Sequence, residues 1–282
     1  MSPEPRFPEK IRAQASGLLL QCIEGLESFY SIIDRVYDRN HVALDPVRLQ
    51  NTHRFEYVGT ILWLLYGIYA AKYRELLRNV IRSTADEEFL VFAHCGRGLI
   101  ETTATLRYYN KKTLAVVMAV KDPDKFSSEE ITKIIELLDK HSRGGRFDWG
   151  SFWMSNRKDM AERLVATRVA ALKKKKSQIP SDTPNPSQVS AQTAIDSWMS
   201  EEPGIVLVYD FFCELVHPNL GSNFLVMGAR DGSLHVAGPT VKSLGRSLAI
   251  EGIKFLGPII KEASSNMATL LGWAATTKPR EK

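Results

Sequence analysis

Apolar residues recur every three or four positions along most of this chain, which is the spacing of one face of an α-helix. The pattern extends over residues 11–37, resumes over 45–82 with an Asp-Pro pair at its start, and returns over 86–109. Asp followed by Pro suits a helix N-cap and first turn, and the three acids at 86–88 favour the positive end of a helix dipole. The sequence therefore predicts three long helices before residue 110.

Four further segments carry weaker helical signals, from a capping box or from apolar spacing. The first is a short apolar run that is also typical of a buried strand, and we interpret it as a helix from its context. The last contains a Gly-Pro pair, where we expect a bend. The predicted segments are 113–120, 128–142, a basic helix that begins at Ser151 or Ser155 and continues into Lys173 to Lys176, and 239–271.

A hairpin and a proline-rich loop complete the predicted fold. Residues 224–227 and 234–236 are apolar and flank Asp231-Gly232, a dipeptide that suits a tight hairpin turn. Residues 177–190 contain three prolines and few apolar side chains, which is typical of a flexible loop. Because neither side of this loop looks like a complete domain, we predict one mainly α-helical domain over residues 1–282, with one short hairpin.

Composition and motifs favour a soluble cytoplasmic protein without a cofactor. The longest apolar run, 58–71, has 14 residues, fewer than the roughly 20 that a membrane span needs, and acid and proline near the N-terminus do not suit a signal peptide. Three widely spaced cysteines indicate free thiols in a reducing compartment rather than disulfides or a zinc site. The chain has no phosphate-binding glycine loop, dinucleotide fingerprint or hydrolase elbow.

The most informative segment is residues 204–223, GIVLVYDFFCELVHPNLGSN. It predicts an almost wholly apolar helix on which Asp210, Glu214 and His217 lie along one face. Pro218 disfavours the helical conformation for the residue before it, so the helix should end at His217 with the imidazole beside the last carbonyl groups. A histidine in that position is a candidate for binding or proton transfer.

Arg97 and Glu101 interrupt an apolar stripe on the third predicted helix. A buried arginine is costly unless it is paired, and its planar guanidinium suits bidentate bonds to a carboxylate or a phosphate. We expect Arg97 to be mostly buried and within hydrogen-bond reach of Glu101, Asp210 or Glu214. The group is either a binding site or an ion pair that only ties two core helices together.

A helix with Arg97 and Glu101, followed by Tyr209, the His-Pro-Asn sequence at 217–219 and a short hairpin, resembles a bacterial all-helical family of unknown function. Through that family the chain is distantly similar to the HEPN superfamily of nucleotide-binding and ribonuclease domains. The resemblance covers about residues 85–240. It implies nucleotide or RNA binding, and metal-independent RNA cleavage by an arginine and a histidine.

Two differences from that resemblance concern the candidate site. Cys213 stands where the family has a serine, and the arginine and the histidine come from two helices instead of one. In the leading hypothesis Arg97 clamps a phosphate, His217 transfers a proton and Glu101 completes the catalytic group. The candidate ligand-binding residues are Tyr209, Asp210, Glu214, Asn219, Lys173, Lys174, Lys175 and Lys176.

The competing hypothesis is a non-enzymatic helical interaction module, for example in stress or phage defence. Its polar cluster would only fix the register of the helices, and its partner would be another protein or a second copy of the chain. Nucleotide or RNA that remains with the purified protein would separate the two hypotheses.

Three weaker motifs complete the analysis of the sequence. Arg48 and His53 match an R-x4-H spacing, which we interpret as a solvated first turn of a helix. Glu214 and His217 have the E-x-x-H spacing of di-iron helical bundles, but no second copy is present, so no metal site is predicted. Lys173 to Lys176, in a chain of net charge +5, either contact a phosphate backbone or form a solvated helix end.

Overall fold

The computed structural model describes residues 5–39, 54–119, 128–143, 189–217, 228–230, 233–235 and 239–276. Helices account for most of these residues, which confirms the predicted mainly α class. In chain order they are α1 (Glu9–Arg12), α2 (Gly17–Arg39), α3 (Arg54–Asp86), α4 (Phe89–Ala119), α5 (Ser128–Arg143), α6 (Ala191–Met199), α7 (Gly204–Val216) and α8 (Pro239–Thr276). None of these helices is both long enough and apolar enough to cross a membrane.

The first predicted helix is broken near its start. α1 ends at Arg12, and α2 begins at Gly17, whose φ of 54° lies in the left-handed region. Glycine adopts this conformation without a steric penalty, so the chain can turn between the two helices. The turn lets Phe7 and Ile11 pack into the core, where both are buried. The prediction of one continuous helix over 11–37 was therefore wrong at its N-terminal end.

α3 and α4 are joined by only two residues. One of them, Glu87, has a φ of 61°, which is uncommon for a residue other than glycine. Its carboxylate accepts hydrogen bonds from Lys10 at 2.7 Å and from Arg246 of α8 at 2.6 Å, which hold the junction in place. Asp86 is the last residue of α3. Glu87 and Glu88 thus form the junction, while Asp86 still belongs to α3, so the prediction that all three acids open the third helix was wrong.

α4 is the central helix and packs against α3, α5, α6, α7 and α8. Its Leu99, Ile100, Ala104 and Leu106 are fully buried. The helix continues without a break to Ala119, which confirms the helical interpretation of the apolar run that begins at 113, as far as that run is described. Because other helices cover several of its faces, α4 can bring polar residues at different positions to different partners.

Two glycines let neighbouring helices approach closely. A Cβ atom added at Gly96 of α4 would lie 2.1 Å from Cε1 of Phe212 on α7. A Cβ atom added at Gly252 of α8 would lie 2.7 Å from Cε1 of Phe92 on α4. Side chains larger than hydrogen therefore do not fit at these positions in the present packing. The rings of Phe92 and Phe212 fill the space that the two glycines leave.

The sequence pattern did not predict α6, which begins directly after Ser190. The Ser190 hydroxyl accepts a hydrogen bond of 3.0 Å from the Thr193 amide and so caps the helix. α6 packs against α4 and α7 and buries the side chain of Trp198. The residue that was expected to end the flexible loop is instead the cap of a packed helix.

Two short strands precede α8. β1 (Gly228–Arg230) and β2 (Ser233–His235) pair in antiparallel fashion, with Ala229 opposite Leu234. Several features of the sequence analysis lie outside the described residues. They are the Asp-Pro helix start at 45–46, the R-x4-H motif, the basic helix with Lys173 to Lys176, the loop from 177 to 188, Pro218, Asn219, residues 224–227 and the Asp-Gly pair at 231–232.

Candidate functional site

α7 ends where the sequence predicts. Its last residue is Val216, and His217 has the extended angles φ −69° and ψ 147°, as expected for a residue that precedes proline. The His217 amide donates a hydrogen bond of 2.9 Å to the carbonyl group of Cys213, and the residue is exposed. The side chains that α7 buries are Ile205, Val208, Tyr209, Phe212 and Leu215.

Three polar side chains of α4 and α7 form a closed triangle of hydrogen bonds. Nε of Arg97 donates to Oε1 of Glu101 at 2.8 Å, which is one of the pairings expected for this arginine. The Tyr209 hydroxyl donates to the same Glu101 oxygen at 3.2 Å. Nη2 of Arg97 lies 3.4 Å from the Tyr209 hydroxyl oxygen, a weak third bond. The triangle therefore joins α4 to α7 across 112 positions of the chain.

His217 lies against the outer end of the same arginine. Its Nε2 is 3.5 Å from Nη1 of Arg97, at the limit of a hydrogen bond. The Arg97 guanidinium carbon is also 5.7 Å from the centre of the Tyr209 ring, within the range of a cation–π interaction. Tyr209 of α7 and His217, which directly follows α7, are thus both among the candidates selected from the sequence.

Burial and neighbouring charges keep three side chains of this group in their protonated forms. Burial lowers the pKa of Arg97, but the hydrogen bond and the negative charge of Glu101 outweigh it and raise the pKa overall, so the guanidinium stays charged. Burial and the Glu101 charge raise the pKa of Tyr209, so its hydroxyl remains a donor. Burial also raises the pKa of Cys213, which bonds to Tyr209, so its thiol is not activated as a nucleophile.

We refer to Arg97, Glu101, Tyr209, Cys213 and His217 as the Arg97 cluster. The Arg97 and Glu101 side chains are 26% and 31% exposed, whereas Tyr209 is buried. Arg97 is therefore only partly buried, less than the sequence predicts, and a molecule in solvent can reach part of its guanidinium. The cluster combines a cation, a carboxylate and an imidazole at one partly open position.

The other candidate residues are placed differently. Asp210 and Glu214 are exposed on α7, and the hydrogen bonds of Arg97 go to Glu101, Tyr209 and His217 instead. Asn219 and the four lysines at 173–176 lie outside the described residues. Within the part of the chain that the structure describes, no three His, Cys, Asp or Glu side chains are grouped closely enough to hold a metal ion.

A second arginine centre on α4 was not identified from the sequence. The side chain of Arg107 is only 8% exposed, and its Nη2 and Nε donate to Glu201 at 2.8 Å and to Glu262 of α8 at 2.9 Å. Hydrogen bonds from Arg107 and Lys111 lower the pKa of Glu201 to about 2. The Arg107 guanidinium also lies 5.5 Å from the Trp198 ring. This centre connects α4 to α8 and to the α6–α7 connection.

The sequence carried little signal for this centre. Arg107 lies ten positions after Arg97, about 80° around the helix, so it falls beside the apolar stripe on which Arg97 lies. Its carboxylate partners are 94 and 155 positions away, and helical spacing says nothing about such distant pairs.

Comparison of the chain with protein-family models, with curated proteins and with solved structures found no match. Function is therefore inferred from the geometry of the Arg97 cluster and from the chemistry of its side chains.

Proposed function

We propose that the Arg97 cluster binds the phosphate group of a nucleotide or of RNA. The observation that carries this proposal is the approach of Arg97 and His217, from two helices, to 3.5 Å at a partly exposed position. A guanidinium binds phosphate oxygens through parallel N–H groups, and a neighbouring imidazole can accept or donate a proton. The motif resemblance, which couples an arginine with a histidine, supports the same interpretation.

If RNA is the substrate, these residues suit cleavage without a metal. The 2′-oxygen would attack the adjacent phosphorus while the bond from phosphorus to the 5′-oxygen breaks. His217 would take the proton of the 2′-hydroxyl, and the departing 5′-oxygen would take a proton from solvent. Arg97 would stabilise the negative charge that grows on the phosphate oxygens. The products would be a 2′,3′-cyclic phosphate and a free 5′-hydroxyl.

A specific observation also favours the second hypothesis, the helical interaction module. The shortest hydrogen bond of Arg97 is internal, to Glu101 at 2.8 Å, and the triangle with Tyr209 ties α4 to α7. Such a group can stabilise the packing of two helices without binding any ligand. In that case the exposed faces of the bundle would bind a protein partner or a second copy of the chain.

Ligand-induced stabilisation distinguishes the two hypotheses. The melting temperature of the wild-type protein would be measured with AMP, ATP and a short single-stranded RNA, since a ligand that binds only the folded state raises it. His217→Ala should remove that increase and leave the ligand-free melting temperature within a few degrees of wild type. Arg35→Ala, which removes an exposed arginine of α2, is the matched control and should keep the full increase.

Cleavage is tested with the same variants on RNA in the presence of EDTA. Wild-type protein should cut a ribonucleotide substrate and leave the same substrate intact when the 2′-hydroxyls are replaced by hydrogen. A folded wild-type protein that neither binds nor cleaves these ligands would rule out the proposed function and leave the interaction module.

A further inference from the structure

We infer that Glu101 and Tyr209 are positioning residues that hold Arg97 with its Nη1–Nη2 edge toward the bound phosphate. This inference rests on the proposed function and assigns these two residues a role other than contact with the ligand. A guanidinium has two edges that can form paired hydrogen bonds: the Nε–Nη2 edge at its side and the Nη1–Nη2 edge at its end.

The triangle occupies the side edge. Nε of Arg97 donates to Glu101 at 2.8 Å, and Nη2 is directed at the Tyr209 hydroxyl at 3.4 Å. These contacts use two of the five N–H donors of the guanidinium. One hydrogen of Nη1 and the second hydrogen of Nη2 form the outer edge, where Nη1 lies 3.5 Å from His217. A phosphate oxygen at this edge would lie next to the imidazole.

The hydrogen bond between Glu101 and Tyr209 forms one side of the triangle. Tyr209 is buried, and its hydroxyl donates to the same Glu101 oxygen that accepts from Arg97. Glu101 lies one helical turn after Arg97 on α4, whereas Tyr209 lies two turns before His217 on α7. The bond between Glu101 and Tyr209 therefore joins the helix that carries the arginine to the helix whose end carries the histidine.

The negative charge of Glu101 allows its positioning role to be distinguished from a purely electrostatic role. A carboxylate beside a phosphate repels it, so a Glu101 that acted only through its charge would weaken phosphate binding. A Glu101 that orients the arginine strengthens binding, because a fixed guanidinium loses less freedom when the ligand arrives. If Glu101 orients the arginine, removal of its negative charge should weaken phosphate binding. If Glu101 acts only through its charge, the same change should strengthen binding.

The experiment measures the Kd of inorganic phosphate by titration calorimetry for wild type, Glu101→Gln, Tyr209→Phe and Arg97→Ala. Circular dichroism would show that each variant is folded. We expect both variants to raise Kd several-fold. Glu101→Gln replaces a charge-assisted hydrogen bond to Arg97 by a weaker neutral one, and Tyr209→Phe removes the hydroxyl that donates to Glu101. Arg97→Ala should abolish binding.

Rescue by free guanidinium separates positioning from general stability. In Arg97→Ala, millimolar guanidinium chloride should restore phosphate binding, because Glu101 and Tyr209 can still bind the cation. In the double variant Arg97→Ala/Glu101→Gln the same salt should restore clearly less binding, because a neutral amide holds the cation more weakly than a carboxylate does. If the substitutions only weakened the packing of the helices, guanidinium would have the same effect on the single and on the double variant.

These measurements distinguish a failure of the positioning role from a failure of the proposed function. If wild type binds phosphate and Arg97→Ala does not, while Glu101→Gln and Tyr209→Phe bind at least as tightly as wild type, the positioning role is overturned and the proposed function stands. If the wild-type protein binds no phosphate, the proposed function fails and this inference fails with it.

Discussion

The imidazole of His141 lies flat against the ring of Tyr109, with centroids 4.1 Å apart and planes 10° apart. Its Nε2 also forms a hydrogen bond of 2.5 Å with the Tyr69 hydroxyl. Burial lowers the pKa of His141 to about 3, and the charge of Lys72 contributes to the decrease. α5 is thus held to α3 and α4 by a histidine that is neutral at physiological pH.

This arrangement predicts that acid destabilises the fold. In the unfolded chain His141 has the ordinary histidine pKa of about 6.5, so below that pH the unfolded state binds a proton that the folded state does not. The contribution to stability is complete above about pH 6.5 and is lost as the pH falls toward 3. Between pH 7 and pH 5 the loss should be about 2 kcal/mol.

Urea unfolding of wild type and of His141→Phe at pH 7 and pH 5 measures this effect. Phenylalanine keeps an aromatic ring against Tyr109 but cannot take a proton. Every other titrating group is shared, so the difference between the two proteins isolates His141. Equal losses of stability in both proteins would contradict the assignment.

The two arginines of α4 should respond differently to replacement by alanine. Arg107→Ala leaves carboxylates without their buried partner and should cost about 3 kcal/mol of unfolding free energy. Arg97 is more exposed than Arg107, 26% against 8%, and solvent screens its ion pair, so Arg97→Ala should cost about 1 kcal/mol. Chemical denaturation measures both values. A larger cost at Arg97 would favour the hypothesis that its cluster is purely structural.

Gly96 should not tolerate even one added methyl group. In Gly96→Ala the new Cβ would lie 2.1 Å from the buried Phe212 ring, so α7 must move away from α4. We expect a loss of about 1–3 kcal/mol, typical of an overpacked core, together with loss of ligand binding at the Arg97 cluster. Gly25→Ala on α2 is the control, since its added Cβ meets no atom within 4 Å and alanine favours the helix. Unchanged stability of Gly96→Ala would show that this contact is not tight.

The lysine run gives a prediction that depends on charge alone. If Lys173 to Lys176 contact RNA, each neutralised phosphate releases counterions, so affinity falls steeply with salt. Replacement of the four lysines by glutamine should weaken binding and make the salt dependence shallower. Filter binding of RNA at several salt concentrations measures both. Identical affinity at every concentration would identify the run as a solvated helix end.

The end of α7 could be predicted because its cause is local. Proline restricts the residue before it wherever the pair occurs, so the extended conformation of His217 follows from its neighbour. The pairing of Arg97 with Glu101 is local in the same sense, since the two are four positions apart on one helix. Both statements needed only a few consecutive residues.

The rotation of α7 could not be predicted in the same way. The sequence placed Asp210, Glu214 and His217 on one face, but it did not show which edge of that face meets α4. Burial of Phe212 against Gly96 turns Tyr209 toward Arg97 and leaves Asp210 exposed. Such a choice depends on the fit between two surfaces from distant parts of the chain.

The break after α1 and the helix α6 were missed for related reasons. Glycine adopts several backbone conformations, and the neighbouring residues do not show that Gly17 takes the left-handed one. α6 has only nine residues, too few to show a clear helical period, and the burial of Trp198 against the bundle stabilises it. Tertiary packing decided both features.

The two-residue connection between α3 and α4 has a consequence for the order in which the protein assembles. Contacts between these helices close a very short loop, whereas α7 and α8 reach α4 only across about a hundred residues or more, and short loops close first. During synthesis the α3–α4 pair also leaves the ribosome before α7 does. Arg97 therefore lies on a pair of helices that forms early. The site is completed only when the segment that carries Tyr209 and His217 has been made and packed against this pair.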